Sequence, residues 1–242
     1  MSGADFGALD AAGLNLQAVF DVDALSPALA GRLHAQVDPA RRFRQLILIG
    51  NAGPALWHAV HAAGMTTPDP IDDFSVRCVM RWLAARWAGV AVHRLYPGDV
   101  PIDLQGLGRL AGWHHDSPFK VGIQPGWGTW FAYRVALLAD TALAPSAPLT
   151  TASPCASCTD TPCIAACPAG AMADGGFALD ACIGYRQRAG SRCATRCVAR
   201  MRCPEGAAQR YPDAHIHHVY AHSLRMIARY RERARAAESG RD

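Results

Sequence analysis

Eight of the nine cysteines lie in the last third of the chain, close enough in sequence to bind a metal together. Four of them, in "PCASCTDTPCIAACPAG", are spaced C-x2-C-x4-C-x3-C-P, and three later ones are spaced C-x3-C-x5-C-P. An odd total of nine does not suit a complete disulfide framework, and thiolates are soft ligands for iron and zinc. The pattern therefore predicts metal or redox chemistry.

The first run is similar to the bacterial ferredoxin spacing C-x2-C-x2-C-x3-C-P, in which the cysteine before proline binds the other of two clusters. It departs from that spacing by two extra residues within 160–162. Proline suits the crossing position because it fixes φ and cannot continue a helix. By this crossover, we predict one 4Fe-4S cluster on Cys155, Cys158, Cys163 and Cys203, and a second on Cys167, Cys182, Cys193 and Cys197.

Structural zinc is the alternative, because it too binds four thiolates. Zinc sites usually consist of two C-x2-C pairs separated by a loop, and neither Cys-Pro nor a series of unequal gaps is expected there. The spacing therefore favours clusters. The ninth cysteine, Cys78, lies in the apolar stretch "VRCVMRWLAARWAG" and is predicted to be a buried small hydrophobic residue.

Positive charge is concentrated towards the C-terminus. The formal net charge is +4, but residues 186–241 carry 13 arginines against four acidic residues, a net +9. Two all-thiolate clusters would carry about −2 each, which nearby arginines would offset. Nucleic acid binding is the rival explanation. We predict that residues 213–239 form a helix beginning at Asp213, with most of its arginines on a solvated face.

Length and composition predict two folded units. A chain of 242 residues with 50% hydrophobic content can bury one full core and support a smaller module. We predict an α+β domain over 1–150, a ferredoxin-type module over 151–210 and a C-terminal helix over 211–242. The N-terminus lacks a signal-peptide pattern, and arginines interrupt each apolar stretch before the ~20 residues of a membrane span. We expect a cytoplasmic protein that has no contact with membranes.

We predict that the sheet and helices of the α+β domain form within residues 1–150. Residues 44–60 read as a strand, a Gly-Asn-Ala-Gly-Pro turn and a helix, and residues 89–96 alternate as a strand does. Residues 71–88 and 101–112 have helical spacing, and 121–143 read as two strands around a Pro-Gly-Trp-Gly turn. Neither Gly-x-Gly-x-x-Gly after a strand nor a Walker A sequence occurs, so nucleotide phosphate sites are not indicated.

Aromatic residues are concentrated around that turn. Trp127, Trp130, Phe131 and Tyr133 stand beside two glycines. They could form the core face of a hairpin, or flat walls against a broad planar ligand. Composition leaves both possibilities open.

Two segments resemble known families. "DPIDDF" and "AGWHHDSPFKVGIQPGWGTWFAYRVALL" resemble cobalamin-processing proteins of the decyanase–dealkylase type. The order of domain, hairpin, paired Cys-Pro runs and "CIGY" is also similar to epoxyqueuosine reductases and, more distantly, to reductive dehalogenases. The resemblance covers residues 65–205 and implies a nitroreductase-like corrinoid-binding domain, followed by a two-cluster ferredoxin-like module and a C-terminal helix.

The resemblance implies an iron–sulfur redox function. An external donor (a ferredoxin, flavodoxin or flavin reductase) would pass electrons through two 4Fe-4S clusters to a bound cobalamin, driving its reduction, decyanation or dealkylation. Trp127, Trp130 and Phe131 would line the corrin, and Arg134 would meet a propionamide or phosphate; no catalytic residue is assigned. The alternatives are a ferredoxin-like carrier without its own substrate and an epoxyqueuosine reductase-like tRNA-modifying enzyme.

The chain also departs from the reductase pattern. Of the signature Gly-Leu-Gly-Trp-x-Gly-Lys, "GWHHDSPFKVG" keeps Gly112, Lys120 and Gly122. The nearest match to the catalytic acid, Asp99, lacks the adjoining serine. Few residues follow Cys203, so we expect no helical-repeat domain. On these grounds we do not expect nucleic acid as a partner.

Overall fold

The computed structural model describes residues 5–239 and divides the chain into two units. The first unit runs up to His115 and resumes over Trp130–Ala152, and the second comprises Asp116–Thr129 and the chain from Ser153 onward.

This division corrects the predicted domain boundary for one segment. We assigned residues 116–129 to the first domain, but they belong to the second unit. The Gly126 N–H donates to the Glu205 carboxylate at 2.6 Å, and the Arg200 guanidinium donates to the carbonyl oxygen of Thr129. These long-range bonds attach the segment to the cysteine-rich part of the chain.

A four-stranded antiparallel sheet forms the centre of the first unit, with strand order β1-β2-β4-β3. The central strand β2 is buried along its whole length, which explains its continuous apolar run "LILI". The strands are β1 (Leu16–Asp21), β2 (Gln45–Ala52), β3 (Val92–Tyr96) and β4 (Phe131–Ala139). The sheet confirms the α+β class.

Helices accompany the sheet in the first unit. They are α1 (Gly7–Ala11), α2 (Pro27–Gln36), α3 (Ala55–Ala62), α4 (Pro70–Arg86) and α5 (Leu104–Leu110). Helix α4 has Asp69 at its N-cap position and Pro70 at its start, and it packs against β4. The predicted helices at 71–88 and 101–112 are therefore present. Cys78, on α4, is half-buried rather than fully buried as we predicted, because its helix lies at the surface of the unit.

The predicted hairpin at 121–143 is wrong. Only β4 forms, and an isolated bridge between Gln124 and Gly128 lies before it. Lys120, Gly126 and Gly128 all have positive φ, so turns interrupt the chain on both sides of residues 122–124.

Short helices and turns make up most of the second unit. Its helices are α6 (Pro162–Ala165), α7 (Leu179–Gln187), α8 (Val198–Arg202) and α9 (Asp213–Ser239). Helix α6 packs against α8 and α7 against α9. The long C-terminal helix begins at Asp213, where we predicted it. Over residues 5–239, none of the helices combines the length and the apolar character needed to cross a bilayer.

Candidate metal centres

Four cysteines from both Cys-Pro runs line one cavity of about 260 Å³ in the second unit. They are Cys155, Cys158, Cys163 and Cys203, and we call this group site I. Burial, and then the nearby Cys203 thiol, raise the pKa of Cys155. The fold therefore brings Cys203 to the three cysteines of the first run.

The two extra residues of the first run form a turn that begins a helix. Thr161 has a left-handed conformation, with φ of 39°, at the N-cap position of α6, and Pro162 occupies the first helical position. Proline is favoured there because its missing N–H would have no helical partner. The insertion thus builds the helix that carries Cys163, and Cys163 still lies at site I.

The other four cysteines line a second cavity, also of about 260 Å³. They are Cys167, Cys182, Cys193 and Cys197, which we call site II. Helix α7 carries Cys182 within "CIGY". Burial first, and the Cys197 thiol second, raise the pKa of Cys182.

Each cavity is lined by four thiols, the number of ligands that one 4Fe-4S cluster takes. A tetrahedral zinc site also takes four thiolates, and its sulfurs lie about 3.8 Å apart, as follows from a Zn–S bond of about 2.3 Å. A cavity of about 260 Å³ has room beside the thiols for a cluster of several atoms.

Three arginines lie at site II: Arg186 and Arg196 line its cavity, and Arg200 contacts Cys197. The Arg186 guanidinium donates to the carbonyl oxygens of Cys193 at 3.3 Å and Tyr220 at 3.1 Å. The backbone N–H of Arg200 donates to Cys197 Sγ at 3.5 Å, and the nearby Arg200 charge works to lower the pKa of that thiol, although burial raises it overall. Burial also raises the pKa of Tyr220 to about 12, so its hydroxyl stays neutral.

Site I has the opposite electrostatic surroundings. Glu205 lines its cavity, and its carboxylate adds to the effect of burial in raising the pKa of Cys203. The two sites therefore differ in local charge, cationic at site II and anionic at site I. Sequence reasoning anticipated arginines near the clusters but not which ones, because the tail carries 13.

Phe119 lines both cavities. It is buried in an apolar cluster with Cys163, Met172 and Ala199. An apolar wall shared by both sites excludes water from the space beside the thiols. Sequence reasoning missed Phe119, for which the only signal was a lone aromatic residue in the polar loop "HHDSPFK".

Comparison with known proteins finds structural similarity only. No protein-family model matches the chain, and no curated protein matches it in sequence. Two solved structures of epoxyqueuosine reductase, from Bacillus subtilis and Streptococcus thermophilus, have TM-scores of 0.55 and 0.52, with 14% sequence identity in each case. A third, an epoxyqueuosine reductase with a tRNA-Tyr epoxyqueuosine-modified stem loop, has a TM-score of 0.57 and 14% identity. The chain has the fold of epoxyqueuosine reductases. The matches cover 85–86% of this chain, which spans 66% of the length of each of those reductases.

The tRNA stem loop in one of these epoxyqueuosine reductase structures corrects an expectation. We did not expect nucleic acid as a partner, but a protein of the same fold is solved with a tRNA stem loop, so the exclusion was wrong.

Of the four predicted corrinoid contacts, three are buried and one is half-buried. Trp130 is fully buried, Phe131 is 6% exposed, and Arg134 Nε donates to Asn51 Oδ1 at 2.7 Å. Trp127 is half-buried and belongs to the other unit. Direct contact of these four residues with a corrin ring stays a prediction.

The thiols make stability pH-dependent before any cluster binds. In the iron-free protein, burial raises the pKa of Cys155, Cys163, Cys182, Cys197 and Cys203. Unfolded thiols lose their protons near pH 8.5, so above that pH the unfolded state binds fewer protons than the folded state. The free energy of unfolding of iron-free protein should therefore fall as the pH rises from about 7 to about 9.5.

Urea unfolding across this pH range checks the prediction. Cluster-loaded protein is the control, since its thiols are already deprotonated and bound, and it should show the smaller dependence. An iron-free protein whose stability rises over this range would contradict the prediction.

Proposed function

We propose that this chain is an iron–sulfur oxidoreductase of the epoxyqueuosine reductase type that acts on modified tRNA. A 4Fe-4S cluster is held at site I and another at site II. The observation that carries the proposal is the grouping of eight thiols, four to each of two cavities that share Phe119 as a wall. The fold shared with epoxyqueuosine reductases supports the class of reaction.

The protein's own residues have distinct tasks in this function. A bound 4Fe-4S cluster supplies one-electron transfer. The cysteines hold the two clusters, Arg186 and Arg200 offset negative charge at site II, and Phe119 keeps water away from both sites. Two one-electron centres suit a two-electron reduction, because both electrons can be stored in the same molecule.

The substrate class rests on the comparison and on charge. An epoxyqueuosine reductase of this fold is solved with an epoxyqueuosine-modified tRNA stem loop. The net +9 of residues 186–241 suits a phosphate backbone. We therefore propose an epoxyqueuosine-modified tRNA as the substrate.

Anaerobic reconstitution tests both parts of the proposal. Iron and acid-labile sulfide should each reach about eight atoms per chain, and the reduced protein should give the electron paramagnetic resonance of 4Fe-4S clusters. The loaded protein, with a reductant, is then incubated with an epoxyqueuosine-modified stem loop, and the nucleosides are analysed by mass spectrometry. An unmodified stem loop is the control.

The outcomes separate the alternatives. Colourless, iron-free protein would overturn the proposal entirely. Protein that binds two clusters but leaves the modified stem loop unchanged would overturn the substrate and support the ferredoxin-like carrier.

The charge difference between the sites predicts unequal reduction potentials. Arginines lie against site II and Glu205 lies against site I, so the site II cluster should accept an electron first. Removing a positive charge disfavours the more negative, reduced state. Arg186→Gln should therefore lower the site II potential by about 60 mV, the equivalent of a tenfold change for one electron.

A redox titration followed by electron paramagnetic resonance measures this shift. Arg188→Gln is the matched control, because Arg188 follows the same helix but is exposed and stacks on Tyr185. Equal shifts in both variants would show that the contacts of Arg186 have no special effect.

A further inference from the structure

A basic groove of about 570 Å³ lies in the second unit. Arg192, Arg196, Arg202 and Arg210 line it, with Val198 and Met201 as its apolar part. Among the described residues, neither an acidic nor an aromatic side chain lines the groove. We call it the arginine groove.

The arginine groove lies beside the cysteine ligands. Three of its arginines are direct chain neighbours of cysteines, so the Cα atoms are about 3.8 Å apart. The neighbouring pairs are Arg192–Cys193 and Arg196–Cys197 at site II, and Arg202–Cys203 at site I. A partner seated in the groove is therefore close to both metal centres.

Two charges of the groove are available to a partner. Arg192 and Arg202 are exposed, and among residues 5–232, whose side chains the structure describes, no carboxylate forms an ion pair with either of them. Arg196 makes a 3.1 Å hydrogen bond with the ring of His217, and Arg210 donates to the carbonyl oxygen of Met201 at 2.9 Å.

We infer that the arginine groove is the docking surface for an acidic redox protein that supplies electrons, an inference that rests on the proposed function. Clustered arginines steer an acidic partner and orient it. Arginine and methionine are both enriched in protein–protein interfaces. In each encounter the carrier loses one electron and the oxidised cluster gains it, with no proton transferred.

RNA is the competing occupant, and one observation weighs against it. Single-stranded nucleic acid is usually bound with aromatic side chains that stack on bases, and among the described residues none lines this groove.

Charge reversal at the two exposed arginines tests the inference. In reconstituted protein, R192E/R202E should raise the Kd for oxidised flavodoxin, an acidic carrier, by about tenfold or more at low salt. Isothermal titration calorimetry measures this, and the difference from native protein should shrink as sodium chloride is added. The control is R225E/R229E, which reverses two exposed charges on α9 outside the groove and should change the Kd less than about twofold.

A kinetic experiment gives a second readout. Stopped-flow absorbance should show that R192E/R202E slows cluster reduction by flavodoxin about tenfold more than it slows reduction by dithionite, which needs no docking surface. Unchanged iron content and circular dichroism establish that the variant is folded and loaded.

The outcomes are distinguishable from failure of the proposed function. A chain that takes up no iron fails the proposed function, and the iron assay detects this before any carrier is added. If R192E/R202E binds flavodoxin as tightly as native protein does, the docking inference is overturned. A variant that loses affinity only for a tRNA stem loop would also overturn it, in favour of RNA.

Discussion

Cys203→Ala is expected to remove the cluster at site I and to leave the cluster at site II, so that iron falls from about eight atoms per chain to about four. Cys203 belongs to the second Cys-Pro run in sequence, but it lines the cavity of the first run. Cys167→Ala should instead remove the cluster at site II and leave the cluster at site I, because Cys167 belongs to the first run but lines site II. Iron and sulfide analysis after anaerobic reconstitution measures both.

Double variants decide the grouping. Cys155→Ala with Cys203→Ala should lose no more iron than either single variant, because both thiols serve one cluster. Cys182→Ala with Cys203→Ala should lose nearly all of it. The control is Cys78→Ala, whose thiol lies on α4 outside both sites and whose removal should leave iron unchanged. If the first pair lost all the iron and the second pair only half, the crossover would be contradicted.

Gly206→Ala is expected to destabilise the second unit by about 3 kcal/mol and to reduce cluster uptake at site I. Gly206 has φ of +64°, and a Cβ there would overlap the carbonyl carbon of Trp127. A Cβ at Gly128 would overlap the carbonyl oxygen of Glu205. A left-handed residue with a side chain costs about 1–2 kcal/mol, and overpacking adds about 1–3 kcal/mol.

The substitution should also reduce iron binding at site I, because Gly206 follows Cys203 by only three residues. Moving its loop away from residues 124–128 displaces that thiol from site I. Gly170→Ala is the matched control, with φ of +60° and no atom within 4 Å of its Cβ. Urea unfolding and iron content measure both variants, and equal losses would show that the close approach of the two loops contributes nothing beyond backbone conformation.

Local patterns in the chain accounted for many of its elements. The strand and helix at 44–60, helix α4 and the start of α9 follow from apolar periodicity and capping residues, which act over a few residues. The conformation of residues 116–129 did not follow, because bonds to Glu205 and Arg200, far along the chain, hold this segment. Strand β1 was also missed, since it depends on pairing with β2 rather than on a strong local pattern.

The same distinction applies to the candidate sites. Cysteine type and spacing predict eight metal ligands from the sequence alone, because ligand chemistry belongs to the side chain and short gaps limit which thiols can come together. Charge composition likewise reveals a basic C-terminal segment. Only the tertiary structure decides that Arg186 and Arg200 contact site II while Arg192 and Arg202 line an open groove, and that Trp130 is core. These assignments depend on helix orientation and on packing between residues that are far apart in the chain. Local sequence patterns specify neither of these.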